Sequence, residues 1–305
     1  MNFTLFLIAL ISHVLGDFVF QPDKIVKGRE AICLKNTKGY ILSARYNLIH
    51  AFIHTIIFLI LVFIVNYTSL LDLSNYLLSA IFIWCIHFVI DYGKCFYKCN
   101  VDKLPYKLSN LCLFILDQIF HFIALYIIFI VFNNISFYEF LEYINFLKGK
   151  LVPYNNFLAI CFILLFCTYE VGYFLKFLLN TITRSNYEED EGAKNGGFII
   201  GVLERIFIII SVVCTQYALI AVILTLKSIA RFKKFSEDYF VECFIIGTLV
   251  SLVTAYIAWI LIYKFLFLIF SSTFFFFLFF LFFFFFFFFF FFFFFFFIPL
   301  KIFFP

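Results

Sequence analysis

Charge is what this sequence has little of. Asp, Glu, Lys and Arg make up 13% of the 305 residues, about half of what a soluble domain carries. Such a chain cannot cover a folded surface in water. Disorder is excluded as well, because it needs low hydrophobicity and high charge. The net charge of +4 is too small to point to nucleic acid. Glycine-rich catalytic fingerprints are also missing: there is no Walker loop, no Gly-x-Ser-x-Gly and no dinucleotide-binding Gly-x-Gly-x-x-Gly. The nine cysteines are odd in number and lie mostly in apolar stretches, unlike a secreted disulfide framework, and Cys95-x3-Cys99 reads as incidental. What is abundant is apolar: 66% of residues, with a mean hydropathy of +1.11. The expected class is an all-α polytopic transmembrane helix bundle, with the lipid bilayer as its first partner.

Apolar runs of spanning length fall at about 2–20, 47–65, 76–92, 109–132, 157–179, 199–226 and 243–269. Backbone groups in lipid must be satisfied within the segment, so these runs are expected to be about seven helices. The first run has no basic n-region, and His13 and Asp17 interrupt it, so it does not read as a signal peptide. Four parts follow: a four-helix region 1–132, a polar connector 133–156, a second membrane region 157–270 and a tail 271–305. Of 56 Phe, 22 lie between Phe274 and Phe297. This tail reads as a translated thymine-rich tract, since TTT encodes Phe, and it carries no functional expectation, although an eighth helix can be drawn through it.

Loop charges set the expected orientation. Residues 21–46 hold six Lys/Arg, 66–75 none, 93–108 four and 133–156 two. That alternation puts the first and third loops in the cytoplasm and the N-terminus outside, in a bacterial cytoplasmic membrane. The second half breaks the pattern, because 227–234 carries four basic residues on what should be the outer side. Either the rule fails there or 199–226 is a broken or re-entrant hairpin.

All five histidines lie in the first half, each in an i,i+4 pair within an apolar helix: His13–Asp17, His50–His54, His87–Asp91 and Asp117–His121. Residues four apart share a helix face, and His-x3-His is the spacing by which a helix offers two imidazoles to zinc. In an alternating bundle all four pairs fall on the same side of the membrane. An ionisable group at a helix centre costs about 2.5–3.5 kcal/mol on insertion scales, so such groups usually face a partner or a cavity. The bland alternative is four self-satisfied pairs that hold helices together.

The stretch from His13 to Asp23 (HVLGDFVFQPD), with His50–His54, His87-Phe-Val-Ile-Asp-Tyr92 and Asp117-Gln-Ile-Phe-His121, resembles a bacterial membrane family catalogued as domain of unknown function 3307. The second half is similar to its longer members at 194–205, 227–232 and 242–248, with Leu226 and Cys243 departing from the pattern. The family's activity is not established, so the resemblance implies a kind of protein and not a function. A weaker likeness, helical His-x3-His followed by His-x3-Asp, is to membrane-bound metal-dependent hydrolases of the DNA-damage response. Those carry His-Arg-x-x-Thr-His, where this chain has His50-Ala-Phe-Ile-His-Thr55.

Two functions follow. In a metal-dependent hydrolase, His50, His54, His87 and Asp91 would bind a divalent metal, zinc by ligand type with manganese or iron as alternatives. Asp117, His121, His13 and Asp17 would serve as acid/base groups or further ligands, on a lipid or phosphoester substrate. In a proton- or metal-coupled transporter the same residues would form a relay. A membrane scaffold is the third reading, kept open by the second half. There Glu170, Glu204 and Arg205 read as interhelical ion-pair partners, and Lys227, Arg231, Lys233 and Lys234 as headgroup anchors.

Overall fold

A computed structural model describes residues 3–65, 73–100, 108–133, 153–182 and 196–267. Among these the chain is helical throughout, with no strand. Six helices are long and apolar enough to cross a membrane, or seven if the bent first pair is one span. This is the expected all-α multi-pass architecture. Most of the polar connector (134–152) and the phenylalanine-rich tail lie outside the described residues. The chain forms two compact units, the first built from residues up to Phe162 and the second from Ile163–Ile269.

In the first unit, α1 (Phe3–Val14) runs into a π-helical turn, Leu15–Val19, closed by the Phe20 N–H donating to the Leu15 carbonyl at 2.8 Å. The chain then bends by 90° into an elbow, made of α2 (Asp23–Arg29) and a 3₁₀ turn, Glu30–Leu34. Pro22 suits the start of α2, because its missing N–H needs no partner there. Lys35, in the left-handed region at φ 51°, ends the 3₁₀ turn. Asn36 Oδ1 then accepts from the Gly39 N–H at 2.7 Å and caps the entry to α3 (Thr37–Val65). The bundle is completed by α4 (Leu73–Asn100) and α5 (Asn110–Asn133), the latter started by Ser109 Oγ accepting from the Cys112 N–H at 3.2 Å. Both α3 and α4 extend beyond the apolar runs, which began at 47 and ended at 92. Hydropathy marks where lipid begins and ends, whereas the hydrogen-bond ladder continues into water.

The described core of this unit is aliphatic and aromatic. Leu7 and Ile8 of α1 are fully buried with Phe6, which packs against Phe122 and Phe129 of α5 at ring separations of 6.0 and 5.4 Å. The last residues of this unit begin α6 (Pro153–Leu165), and Asn155 there accepts from Thr4 Oγ1 at 2.6 Å.

The second unit continues through a π turn, Phe166–Glu170, and α7 (Val171–Ile182), then α8 (Gly196–Val213), α9 (Ala218–Ala230), a 3₁₀ turn and α10 (Asp238–Phe267). The 199–226 run is therefore a hairpin. It breaks after Val213, with Thr215 at φ 57°, and α9 turns back so that Lys227 Nζ sits 2.6 Å from Glu204 on α8. At 1.5 Å per residue α9 is about 20 Å long, short of a bilayer core of about 30 Å. The return brings 227–234 to the side on which α8 begins, which removes the break in the basic-residue pattern. Lys227 is not a free headgroup anchor: it pairs with Glu204 and donates to Thr248 Oγ1 at 2.9 Å. Arg205 is 1% exposed and donates to the Thr168 carbonyl at 2.7 Å, inside the π turn, and to Ser251 Oγ at 3.3 Å. Its partners are thus neutral, where an ion pair was expected.

Candidate metal centre

The first unit gathers all five histidines and three aspartates at one level. Asp17 comes from the π turn that ends the first span, His50 and His54 from α3, His87 and Asp91 from α4, and Asp117 and His121 from α5. Each is almost wholly buried; Asp17, at 10% side-chain exposure, is the most open. The π turn matters because it places one extra residue at Gly16–Asp17, a device common at functional sites. Gly16 is required there: a Cβ would occupy the position of the His54 ring.

Four of these side chains converge most closely. Asp17 Oδ1 lies 2.9 Å from His50 Nε2, 3.2 Å from His54 Nε2 and 3.7 Å from His87 Nε2, and the His50 and His54 Nε2 atoms are 3.3 Å apart. Ligands at about 2.0–2.1 Å around a tetrahedral zinc are separated by about 3.3–3.4 Å, the edge of that tetrahedron. The measured separations bracket this value.

Electrostatics single out the same carboxylate. Asp91 Oδ1 is paired with Arg29 at 2.7 Å and Asp117 Oδ2 with Lys94 at 2.6 Å. Among the described residues Asp17 has no Lys or Arg partner, only imidazoles. Three carboxylates facing two permanent cations leave one negative charge, and it sits among three Nε2 atoms. His87 Nε2 has no hydrogen-bond partner of good geometry, a further sign of a site built for a cation.

Asp91, expected as a ligand by its spacing from His87, faces two ways. Its Oδ2 lies 3.1 Å from His87 Nε2 and 3.4 Å from His50 Nε2, while Oδ1 belongs to Arg29. Asp117 and His121 face each other less directly than i,i+4 spacing suggests. The His121 Nδ1–H donates to the Asp117 carbonyl oxygen at 2.9 Å, which leaves Nε2 aimed at the cluster. His13 Nε2 is 3.6 Å from Asp17 and donates to Gln118 Oε1 at 3.2 Å, and Gln118 Nε2 donates to Asp117 Oδ2 at 3.2 Å. Two further groups of three, His13/His87/His121 and Asp91/Asp117/His121, also bring their donor atoms within 4.8 Å of one another. A small void of about 10 Å³, room for about one water molecule, is lined by His13, His54, His87 and His121 together with Ser12 and aliphatic side chains.

Sequence reasoning missed three members of the centre: Gln118, Arg29 and Lys94. By sequence Arg29 and Lys94 read as loop charges, because both lie outside the apolar runs. Gln21 sits 3.3 Å from His50 Nε2. With its amide oriented so that oxygen faces the donors, it also accepts from Arg29 Nη1 at 2.5 Å.

The geometry defines a polytopic α-helical membrane protein with a buried His/Asp centre in its first unit. The family described as "Protein of unknown function (DUF3307)" matches residues 5–147 of the chain. The longer-form motifs at 194–248 lie beyond that match. No curated protein and no solved structure matches the chain.

Proposed function

We propose that the first unit is a membrane-embedded, metal-dependent hydrolase that acts on a lipid or phosphoester at the cytoplasmic face. Asp17, His50, His54 and His87 hold a divalent cation. Three imidazoles and one carboxylate suit zinc, with manganese or iron as alternatives. The observation that carries this reading is the placement of Asp17, the one cluster carboxylate without a Lys or Arg, among three converging Nε2 atoms.

A cation held there would act as a Lewis acid, and with a water molecule as a further ligand beside the four side chains it would lower that water's pKa to about 7. The chain supplies the rest. Asp91, pinned by Arg29, faces the same His50 and His87 Nε2 atoms at 3.4 and 3.1 Å, so it borders the cation position and can act as a further ligand or hold a proton there. His121 Nε2 borders the void and can take or give a proton, with its ring fixed through Nδ1–H on the Asp117 carbonyl. The run Lys94–Asp117–Gln118–His13 links that position to the helix ends. Substrate reaches such a centre from the interface, which favours a molecule with an apolar tail.

The test is hydrolysis of phosphoester lipids in detergent micelles by the full chain. Turnover should be abolished by a chelator and restored by zinc or manganese. His121→Ala should lower kcat by about 10²–10⁴-fold, the usual worth of a general acid/base, while metal content stays unchanged. A chelator-insensitive turnover, or a metal-loaded protein inert on every ester lipid tried, contradicts the proposal.

One observation favours a relay instead. The rings follow one another closely, with centroids 3.8 Å apart for His54–His87, 4.3 Å for His87–His121 and 4.7 Å for His13–His121, the last pair stacked. Against transport stands the far half of each helix: 3–12, 55–65, 73–86 and 122–133 contain no ionisable Asp, Glu, His, Lys or Arg. A proton path would end blind. Proton flux into liposomes carrying the protein separates the two readings.

A further inference from the structure

The elbow between the first span and α3 lies against the centre from the side of the helix ends. Gln21 contacts His50, and Arg29 holds Asp91 at 2.7 Å. Inward, the elbow is seated by buried Ile25 and Ile32, and by Ser43 Oγ donating to the Arg29 carbonyl at 2.6 Å. Outward, among the described residues, two bonds fasten it to α4 besides the Arg29–Asp91 pair. One is an exposed ion pair, Glu30–Lys98 at 2.6 Å, of the kind worth little in water. The other is a disulfide between Cys33 and Cys99, residues 66 apart in sequence with Cα atoms 5.0 Å apart. Cys99 is buried at 8% exposure, whereas Cys33 is exposed. A disulfide here was not anticipated: spacing drew attention to Cys95 and Cys99, but the partner of Cys99 lies on a different element.

The charge pattern makes this bond unusual. The two segments it joins, 21–46 and 93–108, carry six and four basic residues and belong on the cytoplasmic face by the distribution of Lys and Arg. Permanent disulfides are rare in that compartment, and those that form are transient and regulatory. A staple would be out of place, but a switch would not.

We propose that Cys33–Cys99 is a redox-active latch that controls access to the His/Asp centre by fastening the elbow over it. The chemistry is ordinary thiol–disulfide exchange with a small dithiol. Its thiolate attacks the exposed Cys33 sulfur, and Cys99 leaves as a thiolate and takes up a proton. The second thiol of the reagent then displaces Cys33, also released as a thiol. The protein gains two electrons and two protons, and the dithiol ends as a cyclic disulfide; reoxidation by a disulfide of the same class runs the exchange backwards. With the latch open, residues 22–34 keep their inner contacts and the exposed Glu30–Lys98 pair, and Arg29 can leave Asp91. The latch stands on its own geometry. Its role as a gate rests on the metal reading.

The test compares the full chain oxidised, reduced with a dithiol, and as the Cys33→Ser/Cys99→Ser double variant, with Cys95→Ser as a control. Amide hydrogen exchange across 23–34 should be at least about tenfold faster in the reduced protein and the double variant than in the oxidised protein or the control. Extraction of bound zinc by a chelator should accelerate in parallel. Equal exchange in oxidised and reduced protein overturns the latch, whatever the metal does. So does a disulfide that resists the dithiol in the folded protein, which would mark a permanent staple. Faster exchange in a protein that binds no metal leaves the latch standing and removes the metal reading instead. Should the double variant fail to fold, reduction of the parent gives the same comparison.

Discussion

Arg29→Ala is expected to destabilise the first unit by about 3–5 kcal/mol, the cost of leaving a buried charge without its partner. Asp91 is 2% exposed, and its Oδ1 is held by the guanidinium at 2.7 Å. Removing the arginine leaves a carboxylate facing only imidazoles, in a site where a single negative charge is already uncompensated. The large effect belongs to the broken pair and not to the pair's net worth. The double variant Arg29→Ala/Asp91→Asn should therefore recover most of the loss, and the coupling follows from a double-mutant cycle. Thermal or denaturant unfolding in detergent gives both numbers. If Arg29→Ala costs less than about 1 kcal/mol, the value of an exposed pair, then the elbow is not seated on Asp91 as described. Lys94→Ala is the natural comparison, because its side chain is 34% exposed and its loss can be met partly by water.

Asp17→Asn is expected to abolish stoichiometric metal binding with the fold intact. The amide is nearly isosteric, so packing against His54 and Gly16 is kept, but the one carboxylate without a Lys or Arg partner becomes neutral. Outer partners of metal ligands are commonly worth 10–100-fold in affinity, and a ligand itself should cost at least about 100-fold. Asp91→Asn supplies the contrast. Asp91 touches His50 and His87 and is already neutralised by Arg29, so its loss should weaken binding without removing it. Titration of the metal-free protein with zinc in detergent measures both. Equal losses at the two positions would mean that Asp91 is a ligand in its own right, as i,i+4 spacing with His87 suggests. Undiminished binding in Asp17→Asn would move the cation to one of the other two groups.

The membrane class was legible from composition, and the helices from apolar runs, because lipid forces the backbone to satisfy itself locally. The gathering of the histidines was legible too. His13, His50 and His87 each lie near one end of an apolar run, with His121 deeper, and alternation of direction brings them to one side. What spacing could not give was partner choice. Periodicity pairs His13 with Asp17 and His87 with Asp91, since it sees one helix at a time. Across the bundle Asp17 turns to His50 and His54 instead, because the π turn at Gly16 alters the register of a single helix and that helix alone. Arg29 and Lys94 stayed hidden for a different reason. A basic residue just beyond an apolar run looks like a loop charge, and only the elbow's 90° bend and the extension of α4 to Asn100 carry these two inward. The Cys33–Cys99 bond was invisible for the same reason, as it joins the elbow to that extension. In the second half the basic residues at 227–234 signalled a hairpin, and the signal was right in kind. Its turn at Thr215 has no glycine or proline to announce it.

The central claim is that Asp17, His50, His54 and His87 form a metal site, and X-ray absorption on the purified full chain tests it most directly. The account predicts about one equivalent of metal per chain, with three imidazole nitrogens and one carboxylate oxygen at about 2.0–2.2 Å, all lost in Asp17→Asn. A folded, metal-free protein that cannot be loaded with zinc, manganese or iron would contradict it, as would a bound metal with sulfur in its first shell.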